Sequence, residues 1–147
     1  MLFYISEKAL LGHPRIAVVG SPHLNEAGQE CICFVGNASG FSGQVLYSGG
    51  AKGVDTISMD SALEARGTAV AVLVNSLERM VKKHRNALSR GELCLVTPYS
   101  PNAGFSVGTA MGCNRLTYCL ADYAIVVASD AESGGTWAGA TETLKNS

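Results

Sequence analysis

The chain has 147 residues, 47% of them hydrophobic and 16% charged, with a formal net charge of −1. That length suits one domain over residues 1–147, and the apolar share suits a packed core, which excludes intrinsic disorder. With neither a polybasic arm nor an acidic tail, an all-over electrostatic coat on DNA is also excluded, because neutralising phosphates takes clustered Lys and Arg.

The N-terminal MLFYISEKALLG carries Glu7 and Lys8 inside its apolar stretch, so it reads poorly as a signal peptide. Arg15-IAVVG-Ser21 is a β-branched run ending in Gly and predicts a buried strand. A helix follows from about Asn25 to Val35, then a Gly/Ser stretch from Gly36 to Gln44. Gln44-VLY-Ser48 predicts a second strand that runs into Gly49-GAKG-Val54. A helix starts near Val54, with Asp55 in its first turn, and stops at Arg66-Gly67. Thr68-AVAVLV-Asn75, apolar on both faces, predicts a central parallel strand. The span Ser76–Gly91 is amphipathic and predicts one helix, with Met80, Val81, Ala87 and Leu88 toward the core. Leu93-CLVT-Pro98 predicts the fourth strand and Val107 to Leu120 the next helix. Ala124-IVVAS-Ser129 predicts the fifth strand, and a last helix begins after Gly134-Gly135, close to where the chain stops, as in a truncated domain.

Such β-α alternation predicts an α/β fold of the Rossmann-like, three-layer α/β/α type with a mainly parallel sheet. The two long uncharged runs, Cys31–Ala51 and Leu93–Asn114, hold too many Gly and Pro for a membrane span. The five cysteines are odd in number and form no CxxC pair; buried thiols in a reducing, cytoplasmic setting are the plain account, with no metal and no cofactor expected.

Ligands on open α/β sheets bind at the carboxyl ends of the strands. Three of those ends carry informative residues: Gly20 and Ser21; Ser48, Gly49, Gly50, Ala51, Lys52 and Gly53; and Ser133, Gly134, Gly135 and Thr136. Backbone N–H groups at such turns, with the positive end of the following helix, form an anion cradle. Lys52 adds a point charge, and Ser48, Ser133 and Thr136 offer hydroxyls. A tight turn that merely needs Gly explains either glycine-rich loop alone; two at one sheet edge favour an anion site. Neither the GxGxxG pattern nor a GxxxxGK[ST] loop is present, so a conventional NAD or ATP site lacks support. Residues 50–115 carry eight basic and five acidic side chains, net +3, while both ends of the chain are acidic, so one local anion site fits the middle.

Tyr47-SGGAKGVD-Asp55, Ala62-LEARGTAVAVL-Leu73, Cys113-NRLTYCLADYAIVV-Val127 and Glu132-SGGTWAGA-Ala140 together resemble the DprA/Smf DNA-processing proteins, part of a Rossmann-like superfamily that also holds the Lonely-Guy-type nucleotide hydrolases. The likeness runs from about Arg15 to Leu144. It implies a domain that binds single-stranded DNA, often as a homodimer, in DNA uptake and recombination. It also implies phosphate-binding roles for Gly20 and Ser21, for Ser48, Gly49, Gly50, Lys52, Gly53 and Asp55, for Asn114 and Arg115, and for Ser133, Gly134, Gly135 and Thr136. Two departures stand out. Pro22 replaces the family's usual Arg, and Ala110-MGC-Cys113 replaces a run of Phe-Pro and arginines, which removes phosphate forks and a stacking platform and leaves a smaller phosphate pocket.

The remaining candidates are weaker. Arg79, Lys82, Lys83, Arg85 and Arg90 read as a solvated helix face or a nucleic-acid contact. His23 reads as a loop histidine and Trp137 as a packing residue of the last helix, while Phe105 is a lid or stacking candidate. Asp55 reads as a cap or loop organiser rather than a general base. No catalytic set stands out, so binding without catalysis is expected. The alternative is a nucleotide-processing or nucleotide-sensing domain in which Glu142, after Gly134-Gly135-Thr136, serves a phosphoribohydrolase reaction on a small nucleotide.

Overall fold

The computed structural model describes residues 2–12, 14–100, 102–127 and 134–145. Its sheet has six strands: β1 (Phe3–Ser6), β2 (Arg15–Val19), β3 (Val45–Ser48), β4 (Thr68–Val72), β5 (Leu93–Thr97) and β6 (Tyr123–Val126), in the spatial order β1-β5-β4-β3-β2-β6. β2 to β6 run parallel, as the alternating pattern predicts, whereas β1 pairs antiparallel with β5 from Phe3↔Thr97 to Ser6↔Cys94. The sequence reading has no strand there. All four β1 residues are exposed and lack two-fold alternation, so pairing with the edge of β5, rather than local pattern, makes the strand.

The helices are α1 (Glu26–Ser42), α2 (Val54–Glu64), α3 (Leu77–Lys83), α4 (Arg85–Ser89), α5 (Val107–Leu120) and α6 (Gly134–Lys145), with a 3-10 turn at Lys8–Gly12. Successive strand residues point to opposite faces, and the two cores follow from that. Leu46, Ala69, Ala71, Leu93 and Leu95 pack under α1 to α4, against Ile32, Met59, Ala62 and Met80. Val45, Tyr47, Val70, Val72 and Val96 pack on the other face, against Leu10 and Cys113. β4 is buried on both faces because it is central and covered twice.

Two predicted helix boundaries change. α1 does not end at Val35 but runs through the Gly/Ser stretch to Ser42, stopping at Gly43 in the left-handed conformation. The cause is α2. A Cβ at Gly36 would lie 2.6 Å from the Ser58 carbonyl oxygen and 2.8 Å from Ser61 Cβ. Glycine there lets two helices approach more closely than side chains allow, and the packing outweighs the low helix propensity of the stretch. The predicted helix over Ser76–Gly91 breaks at His84 into α3 and α4. His84 is buried beside Asp60 of α2 at 3.7 Å, and burial lowers its pKa despite that carboxylate. The break also splits the predicted basic face: Lys83 pairs with Asp60 at 2.9 Å and Arg90 with Glu92 at 2.8 Å.

Cys94 and Cys113 are buried, but Cys31 and Cys119 are exposed and Cys33 is half-buried, so the expectation of buried thiols holds for two of the five free cysteines. Burial pushes the Cys94 and Cys113 thiols up to about 11. Among the described residues no helix is long and apolar enough to cross a membrane.

Candidate functional site

β2 to β5 step across the sheet in one direction and β6 lies on the other side of β2, so the strand order reverses at β2. Crevices on such sheets open at the carboxyl ends near that reversal. A cleft of about 330 Å³ lies at the carboxyl ends of β3 and β4, walled by the starts of α2 and α3 and by α5. A wider groove of about 450 Å³ lies between α2 and α4, but its cations Lys83, Arg66 and Arg90 are already paired with Asp60 and Glu92.

The floor of the cleft is the loop after β3. Gly49, Gly50, Ala51 and Lys52 line it, and Asp55 sits beneath them, 7% exposed. The Ala51 N–H donates to the Asp55 carboxylate at 3.3 Å, and the Gly49 N–H also donates to it. Two of the loop donors expected to cradle an external anion therefore face an internal carboxylate. Burial pushes that carboxyl up to about 7, with the two N–H donors pulling the other way. Asp55 is a loop organiser by its contacts. Ser48 is fully buried below the loop rather than at the cleft surface.

The other expected residues divide. Gly53 has φ 88°, and a Cβ there would lie 2.9 Å from the Pro22 backbone, so the Gly20-Ser21-Pro22 turn is clamped against the loop after β3. Ser21 is buried and its hydroxyl accepts the His23 N–H at 3.4 Å; neither Gly20 nor Ser21 lines the cleft. Asn114 on α5 lines it, whereas Arg115, the next residue, turns to Glu142 of α6 and forms an ion pair. The Thr136 carbonyl accepts the Tyr118 hydroxyl at 3.4 Å, which ties α6 to α5. Gly134 and Gly135 form the start of α6, and Ser133 lies outside the described residues. Trp137 is 38% exposed, so it is only partly a packing residue, and His23 is exposed as expected of a loop residue.

Arg79, from the run of basic residues read as a solvated face or a nucleic-acid contact, lines the cleft, and two further lining residues escape the sequence reading: Asn75 and Ser76, between β4 and α3. Their signal is position alone, since Asn75 ends a predicted central strand. Ser76 has φ 62°, a strained conformation for a non-glycine residue and one that collects at functional sites. Phe105, 65% exposed, stands at the rim as the loop candidate anticipates. Lys52 and Arg79 have no ion-pair partner among the described residues, while the same residues contain no cluster of three metal-binding side chains. The cleft thus offers two unpaired cations, an amide pair from Asn75 and Asn114, and one exposed ring.

No curated protein matches the sequence. Among solved structures, DNA processing protein A from Helicobacter pylori, studied for its single-stranded DNA binding mode, superposes with a TM-score of 0.82 at 22% identity, over 98% of this chain and 67% of that one. DNA processing protein A from Streptococcus pneumoniae gives 0.82 at 26% identity, over 98% of this chain and 51% of that one, so this chain spans about half the length of that relative. The molybdenum cofactor carrier protein of Chlamydomonas reinhardtii shares the fold at a TM-score of 0.61 and 18% identity, over 91% of this chain and 72% of that one. The family model described as DNA recombination-mediator protein A matches residues 1–146, and the chain belongs to that family.

Proposed function

We propose that the cleft at the ends of β3 and β4 binds single-stranded DNA, without catalysis, in DNA processing. The observation that carries this is the placement of Lys52 and Arg79, both unpaired among the described residues, on a cleft rimmed by the exposed ring of Phe105. Cations that track phosphates and an aromatic face for a base are the two parts of a single-strand site. The family and the single-stranded DNA binding of the Helicobacter pylori relative support the same ligand.

Glu142 does not fit a hydrolase role, because it is engaged by Arg115 and is absent from the cleft wall. Filter binding to a single-stranded oligonucleotide across a salt series tests the proposal. Affinity that falls with salt and drops in Lys52→Ala is expected. Binding no tighter than that of an unrelated acidic protein, and indifferent to Lys52→Ala, refutes it. A mononucleotide that raises the melting temperature while the oligonucleotide does not would move the site to a small-nucleotide function.

A further inference from the structure

The buried carboxyl of Asp55 lies against the underside of the glycine-rich loop, and the cleft opens on the other side of the same loop. The contact is close. A Cβ at Gly49 would stand 2.7 Å from Asp55 Oδ2, so only glycine lets the backbone lie on this carboxylate. The Gly49 and Ala51 N–H groups both donate to it, the second at 3.3 Å. That is longer than the ordinary N–H···O range of about 2.7–3.2 Å, so the carboxylate holds this donor loosely. Among the described residues Asp55 has no ion-pair partner.

The groups around it do not compensate its charge. On α5, burial and then the Asp55 charge hold the Tyr118 phenol above its ordinary value, and Arg115 turns away to Glu142. Lys52 on the loop and Arg79 on α3 face the cleft. The acidic residues of α1, Glu26 and Glu30, are exposed, and on β2 Arg15 is paired with Asp122. His23 follows the Pro22 turn that presses on Gly53. Burial thus dominates, and it pushes the Asp55 carboxyl up to about 7.

We propose that Asp55 is a positioning residue that links single-strand binding to a proton: a phosphate entering the cleft takes over the Gly49 and Ala51 N–H groups as Asp55 gains one proton and releases them. This rests on the cleft being the single-strand site. Two anions cannot share one pair of donors across a single layer of backbone. Their repulsion runs through a buried, low-dielectric region, where a charge is felt far more than in water. A neutral carboxyl also accepts hydrogen bonds more weakly than a carboxylate, so protonation removes the repulsion and frees the donors together. One proton passes from solvent to a carboxylate oxygen of Asp55. The phosphodiester stays ionised and no covalent bond in it changes.

The sign of the pH dependence follows. Where Asp55 is already protonated, binding costs no proton and affinity is level with pH. Where it is ionised, each chain must take up a proton to bind, so affinity falls as pH rises. For a group that titrates near 7, the dissociation constant rises roughly tenfold between about pH 6 and about pH 8.

Fluorescence anisotropy with a single-stranded oligonucleotide lacking terminal phosphates, at fixed ionic strength from about pH 6 to about pH 8, reads the dissociation constant. Calorimetric titration at about pH 8 in two buffers of different ionisation heat counts the protons taken up. The wild type is expected to weaken roughly tenfold across the range and to take up about one proton at its upper end. Asp55→Asn keeps a level dissociation constant and takes up none, with a thermal melt at each pH to show that it is folded. His23→Gln removes a nearby side chain of the type that titrates in this range and keeps the wild-type profile. Wild-type binding that is level with pH, binding without proton uptake, or a pH profile that Asp55→Asn retains or His23→Gln loses would overturn the inference and leave the cleft as the binding site. No binding at any pH would overturn both.

Discussion

Asp55→Asn tests the account of the loop after β3. In the folded chain the carboxyl is 7% exposed, and burial raises its pKa from 3.8 to about 7 against the pull of the Gly49 and Ala51 N–H groups. Between those two values the folded chain holds a proton that the unfolded chain releases. Rising pH therefore destabilises the fold through this window, because the unfolded state binds fewer protons. The contribution is most favourable below the unfolded value and is lost by about pH 7, amounting to about 4 kcal/mol in all. Asn keeps the shape and one acceptor oxygen for the Ala51 N–H but cannot titrate. Its amide also leaves a loop donor unpaired, a constant cost of about 1–3 kcal/mol that does not vary with pH. The two chains are compared by urea unfolding, followed by circular dichroism, from about pH 5 to about pH 8. The variant gains on the wild type steadily as pH rises and the difference flattens near neutrality. Asp122 and Glu92, whose pKa values are lowered by their Arg15 and Arg90 partners, lose stability in the opposite direction as pH falls, but they titrate alike in both chains and cancel. A stability difference that stays constant across the range refutes the reasoning.

Gly36→Ala is expected to lower stability by about 1–3 kcal/mol despite the better helix propensity of Ala, because backbone and Cβ atoms of α2 stand within 2.8 Å of the new methyl. Gly108→Ala on α5, where the nearest atom is at 3.8 Å, is the control; thermal melts in which the two behave alike would remove the close-packing account of α1. Arg79→Ala weakens single-stranded DNA binding and makes the plot of log affinity against log salt shallower by about 0.7, the release of one phosphate contact. Phe105→Ala costs about 1–3 kcal/mol of binding with the salt slope unchanged, since a stacked base carries no counterion. Fluorescence anisotropy titrations at several salt concentrations separate these two outcomes.

The five parallel strands and the glycine-rich loop after β3 are legible in the chain itself. Apolar runs such as Thr68-AVAVLV-Asn75 are too short for helices and too continuous for exposed strands, and Gly49-Gly50 follows a strand end directly. Lys52, Asp55 and Asn114 reach the cleft as their positions suggest, and Phe105 stands at its rim. What no local pattern carries is contact between distant segments. β1 exists because β5 offers an unpaired edge, and α1 continues to Ser42 because α2 rewards glycine at Gly36. Arg115 is drawn to Glu142, 27 residues on, and Lys83 of the basic run is taken by Asp60 of α2. The loop donors turn to Asp55 for the same kind of reason: a carboxylate shut away from water takes the nearest N–H groups, and only the folded packing decides that it is shut away. Periodicity and turn chemistry are local and can be read along a sequence, whereas burial is a property of the assembled layers, and at this site burial settles which polar groups remain for a ligand.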